Sequence, residues 1–98
     1  MRYKISYGPQ DKYNKWGYLM ESAPVYTRYA GSDTEAKEIA MKISNQYKKW
    51  DVHIYDTQGP QDDPEDPRSA VWLIASYKKG VLIFENYEYY KALNKKQF

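Results

Sequence analysis

One apolar stripe constrains this chain more than any other feature. Ala36, Ile39, Ala40, Ile43, Tyr47 and Trp50 recur at the spacing that lines one face of a helix of about 3.6 residues per turn. The spacing predicts a helix over 32–50. Ser32 followed three residues later by Glu35 reads as a capping box, each side chain satisfying a backbone N–H of the first turn. Lys37, Glu38, Lys42, Asn45, Lys48 and Lys49 form the wet side, with Lys48 and Lys49 placed where the negative helix end favours cations. Met41 alone breaks the pattern. A helix with one apolar face has to cover something, and here the rest of the chain supplies strands.

Tyr3, Ile5 and Tyr7 alternate with Arg2, Lys4 and Ser6, the period of a half-buried strand, and Gly8 and Pro9 end it. Residues 10–15 read as a polar loop, and 16–21 as a second strand pairing with the first. Val25, Thr27 and Tyr29 alternate with Tyr26 and Arg28 ahead of the helix. After it, Trp50, Val52 and Ile54 alternate with Asp51, His53 and Tyr55. Ala70 to Tyr77 is apolar on both sides apart from Ser76, as in a strand bordered on both edges. Lys78, Lys79 and Gly80 then make a hairpin turn into 81–85. Asn86 caps a closing helix over 87–96 with Tyr89, Tyr90 and Leu93 inward. This order predicts an α+β fold, a small mainly antiparallel sheet of about four to five strands with two helices packed on one face. The free face is expected to be rich in tyrosine.

Ninety-eight residues suit one domain spanning 1–98. Cysteine is absent, which removes disulfides, thiolate metal sites and cysteine nucleophiles. No stretch reads as a membrane span or a secretory signal, so a cytoplasmic location is expected. The net charge of +2 conceals a segregation. Asp56, Asp62, Asp63, Glu65 and Asp66 fall in a stretch without lysine or arginine, and fifteen basic residues face only eight acidic ones elsewhere. Pro60, Pro64 and Pro67 share that stretch, which reads as an exposed acidic loop over 57–69. Twelve tyrosines are the other excess, and their apolar bodies with polar tips suit surfaces that meet a partner.

Catalytic chemistry finds little support. His53, the only histidine, stands beside Asp51 and Tyr55 with no nucleophile in its neighbourhood, and an enzyme centred on it is the third-ranked reading. The acidic loop matches no calcium-binding spacing, and the five glycines form no phosphate-binding motif, so neither metal nor cofactor is expected. Binding is the favoured class. A protein partner, met stoichiometrically through Asp62, Asp63, Glu65 and Asp66 with Tyr55 and Tyr26, ranks first. By analogy such a chain would act as a phage or mobile-element inhibitor docked on a host protein machine. A nucleotide or nucleic acid held by Lys78, Lys79, Tyr77, Lys48 and Lys49 ranks second, lysines serving phosphate and rings serving bases. Open sheet edges make a homodimer a further expectation.

Overall fold

The computed structural model describes residues 2–9, 11–61, 63 and 65–95. Its strands are β1 (Tyr3–Gly8), β2 (Lys12–Tyr13), β3 (Leu19–Glu21), β4 (Tyr26–Ala30), β5 (Asp51–Asp56), β6 (Trp72–Lys78) and β7 (Val81–Glu85). The helices are α1 (Asp33–Gln46) and α2 (Tyr87–Lys95). Five strands form one sheet in the order β4-β1-β5-β6-β7, and β2 pairs only with β3 in a separate two-stranded ribbon. Every pairing is antiparallel. The expected α+β architecture is therefore present, extended by a hairpin.

Alternation decides which side of the sheet is covered. Tyr3 and Ile5 of β1 and Val52 and Ile54 of β5 are buried with Ala36, Ala40 and Ile43 of α1. Both helices lie on that side, since Tyr89 of α2 is buried in the same core and Tyr90 of α2 donates its hydroxyl to Asp33 of α1. Lys37 joins three elements there. It pairs with Asp33 and with Glu85 of β7, each at 3.6 Å, and lies over the Tyr90 ring. Burial opposes its charge, but Tyr90, Asp33 and Glu85 outweigh that and hold its pKa above the ordinary lysine value.

The helix begins as expected and stops sooner. Ser32 Oγ accepts from the Glu35 N–H at 3.2 Å, while Glu35 reaches back to the Gly31 N–H, one residue beyond the usual box. Tyr47 caps the C-terminus through its N–H to the Ile43 carbonyl. Lys48 and Lys49 therefore sit in a turn past the helix end. Trp50 leaves the helix and stacks on Tyr47, ring centroids 4.3 Å apart. Ser44, which no apolar stripe would include, is buried because its Oγ accepts the Gly80 N–H at 3.0 Å, tying α1 to the β6–β7 turn. Positive φ at Lys79 (55°) and Gly80 (77°) makes that turn the primed type that suits a two-residue hairpin.

The second strand is placed differently from the expectation. Residues 19–21 pair with β2 rather than with β1, whose two neighbours are β4 and β5. Asn14 explains this. Its side-chain oxygen accepts the N–H groups of Trp16 and Tyr18, its backbone N–H donates to the Tyr18 carbonyl, and Gly17 takes a φ of 86°. The chain turns back on itself at residues 14–18, and the expected polar loop becomes the first strand of a hairpin.

The free face also departs from expectation. Register places Lys4, Ser6, His53, Tyr55, Thr27 and Tyr29 together on it, with Leu73, Ser76 and Phe84. Only two of these are tyrosines. Tyr3, Tyr7 and Tyr77 share the phase of the apolar residues and so face the helices.

Candidate functional site

Residues 11–23 form an arm that belongs to no layer of the fold. Its base is clasped by the Ala23 N–H donating to Asp11 Oδ1 at 2.6 Å, and a Lys12–Glu21 ion pair of 3.3 Å crosses its middle. The Asn14 hydrogen bonds hold the tip in one shape. On this braced ribbon Trp16 is 71% exposed, Tyr18 72% and Met20 67%, and Tyr13, Leu19 and the following Val25 are exposed as well. Lys15 lies 4.6 Å from the Trp16 ring centroid, an attraction that holds the lysine stem across the indole. A chain of this size normally has a radius of gyration of about 12.5 Å; here it is 15.1 Å with a longest dimension of 49 Å. A protrusion of this kind leaves large ring surfaces mostly in water, Trp16 and Tyr18 each staying about 70% exposed.

Where the arm meets the body there is an open cleft of about 420 Å³. Ser6, His53 and Asp51 form its floor on the free sheet face, and Asp11, Tyr13 and Val25 its wall. Asp51 pairs with Lys78 at 3.5 Å. His53 Nδ1 lies 2.6 Å from the hydroxyl of Ser76, its register partner on β6. Ser76 is buried, so this is a cross-strand hydrogen bond with the histidine edge turned to the cleft.

The same end of the sheet carries a run of rings. Trp50 stacks with Tyr47 and with Tyr26, and Tyr7 completes the group, 5.8 Å from Tyr26 and 6.4 Å from Trp50. Lys48 and Lys49 follow Tyr47 directly. Lys78 and Lys79 stand on the β6–β7 turn, which packs on the end of α1. Four expected lysines thus lie toward the arm end of the molecule. Tyr77 does not stand with them, because at 5% exposure beneath α1 it offers no ring face to a ligand.

The acidic loop lies at the other end. β1 and β5 run antiparallel with Gly8 beside Asp51 and Tyr3 beside Asp56, so the chain leaves for the arm at one end and for the loop at the other. Asp62 lies outside the described residues. Asp66 caps a short 3-10 turn, Pro67–Ala70, by accepting the Arg68 N–H, and Asp63 accepts the Glu65 N–H. Trp72 donates its indole N–H to the Pro60 carbonyl at 2.6 Å. The loop is hydrogen-bonded into a built turn, and among its described acids Asp63 and Glu65 are exposed. Tyr55 is on the free face toward the loop, whereas Tyr26 is at the arm end within the ring stack. The residues expected to form one partner site are therefore distributed over two ends of the fold.

Asp56 separates from the loop altogether. Its side chain is fully buried and accepts two hydrogen bonds of 2.8 Å from Arg2, one of 2.6 Å from the Tyr89 hydroxyl and one of 3.0 Å from the Gln58 N–H. Burial works against its charge, but Arg2, Tyr89 and Gln58 outweigh it and hold the carboxyl below its ordinary value. Burial and the adjacent carboxylate push the Tyr89 hydroxyl well above the tyrosine range. This is a structural junction that engages the Arg2 guanidinium on a buried carboxylate.

Among the described residues no helix is long and apolar enough to cross a membrane, and no group of three or more acidic or histidine side chains is placed to hold a metal ion. The chain matches no protein-family model, no curated protein and no solved structure.

Proposed function

We propose that this chain is a non-enzymatic interaction protein that binds a protein partner stoichiometrically, with the 11–23 arm as its anchor. The observation that carries this reading is the exposure of Trp16, Tyr18 and Met20 on a hairpin whose tip is already fixed by Asn14. Large rings on an ordered scaffold give up little side-chain entropy on binding, and tryptophan and tyrosine dominate binding energy at protein interfaces. The partner surface that fits is an apolar groove with an acidic rim, since Lys12, Lys15, Lys48 and Lys49 surround the arm end. The root cleft gives room for a partner side chain beside His53. Glu65 and its neighbours, at the far end, contribute charge that orients the encounter. A chain bound in this way would inhibit its partner by occupancy. A second copy of this chain is a further protein partner under the same reading.

A photoreactive residue in place of Trp16 tests this in cells that make the protein. The reading expects one adduct of defined mass, absent when the same group replaces Lys42 on the outer side of α1. Identical adducts from both positions would contradict it.

The ring stack beside Lys48 and Lys49 favours a second reading, a single-stranded nucleic acid lying across the arm end. It predicts an affinity that falls steeply with salt. Leu19, Met20 and Val25 count against it, because exposed aliphatic side chains have no complement on a polyanion.

A further inference from the structure

The two edges of the five-stranded sheet are built to different rules. β4 carries Arg28 at its centre and is preceded by Pro24, and a charge and a nearby proline are devices that discourage another strand from adding to an edge. β7 holds no proline, and its one charge, Glu85, comes last. Its first four residues, Val81, Leu82, Ile83 and Phe84, are apolar, strand-favouring and exposed, with Val81 at 60% and Ile83 at 56%. All four stay exposed although α1 reaches the strand through the Lys37–Glu85 ion pair.

We propose that β7 pairs with β7 of a second copy of this chain, antiparallel about a two-fold axis near Ile83, joining the two sheets edge to edge. The proposal rests on the protein-binding reading and names one of the partners. Charge order selects this arrangement. Lys78 and Lys79 lie before the strand and Glu85 and Glu88 at or after its end. An antiparallel self-pair sets the basic end of each copy beside the acidic end of the other, whereas a parallel one would set lysine beside lysine. The bulge selects the occupant. The β6–β7 register shifts between Ser76 and Tyr77, leaving Ile83 as the extra residue and twisting the strand. A regular foreign strand would not follow that twist, but a second copy carries the same bulge and meets it across the axis. Because the contact is isologous and β4 is guarded, the assembly closes at two copies.

The absence of cysteine makes a direct test available. Single substitutions Leu82→Cys, Ile83→Cys and Phe84→Cys, with Lys42→Cys as control, each introduce one thiol that can only bridge two copies. Mild oxidation should give a disulfide dimer in the β7 series with a maximum at the self-facing position, and none at Lys42→Cys, because a bridge requires Cα atoms within about 7 Å. Sedimentation of the untreated protein over a series reaching about 100 μM should show twice the 11.7 kDa mass. Ile83→Lys should raise the dimer dissociation constant about a hundredfold or more, by setting two charges against each other on the axis. Trp16→Ala should leave the dimer unchanged, which separates this contact from the arm. A wild-type protein that stays at 11.7 kDa, or a dimer that survives Ile83→Lys or is lost with Trp16→Ala, would overturn the proposal.

Discussion

Tyr89 donates its hydroxyl to Asp56 across 2.6 Å inside the core, so the last helix of the chain is fastened to the end of the central strand by a charged acceptor. Arg2, bidentate on the same carboxylate, fastens the start of the first strand. Three distant parts of the sequence meet at one buried group.

Removing the hydroxyl with Tyr89→Phe should destabilise the fold by about 1.5–3 kcal/mol, the range for a hydrogen bond to a charged group. Asp56→Asn should cost about 2–4 kcal/mol, below the full value for a broken buried ion pair because Arg2 is one-third exposed and screened. Urea unfolding of both variants and their double mutant should show a coupling energy of at least about 0.5 kcal/mol. Additive effects would mean that the two side chains do not share a network.

The same junction sets an acid limit. A carboxyl whose folded pKa is depressed stabilises the fold above its unfolded value, 3.8 here, and that contribution is lost as pH falls through the lower folded value. Stability should be level through neutral pH from this source and should fall as pH drops below about 4. Asp56→Asn should lower stability at neutral pH and flatten the acid limb. A variant with an acid limb as steep as the wild type would assign it to other carboxylates.

Gly8 closes β1 where the chain returning from the arm crosses it. A Cβ there would collide with the Pro24 carbonyl oxygen, which is backbone and cannot swing aside. Gly8→Ala should shift the urea midpoint down by an amount equivalent to about 1–3 kcal/mol, as other overpacked sites do. An unchanged midpoint would show that the 22–25 segment moves without cost.

Much of this architecture is legible in the residues themselves. Period-two alternation around Ile5 and Ile54, the Lys79–Gly80 turn and the Ser32 and Asn86 caps each act within a few residues, so pattern alone reveals them. The arm was hidden because its strands are two and three residues long, and because Gly17 weakens a strand reading without announcing that Asn14 closes a turn around it. Nothing local states that Trp16 is bare while Trp72 is partly covered. Asp56 reads as the first acid of the loop that follows it, since its partners lie 54 and 33 residues away. The candidate site was missed for the same reason. Exposure is a property of what the rest of the chain fails to cover.

The affinity of the arm for the partner that photocrosslinking identifies tests the account most directly. Trp16→Ala and Tyr18→Ala together should leave stability within about 0.5 kcal/mol of the wild type, as expected for exposed side chains. The same pair should raise the partner Kd by about a hundredfold or more, the loss expected when two interface anchors are removed. A doubly substituted protein that folds as before and binds its partner with wild-type affinity would contradict the claim that the arm is the anchor.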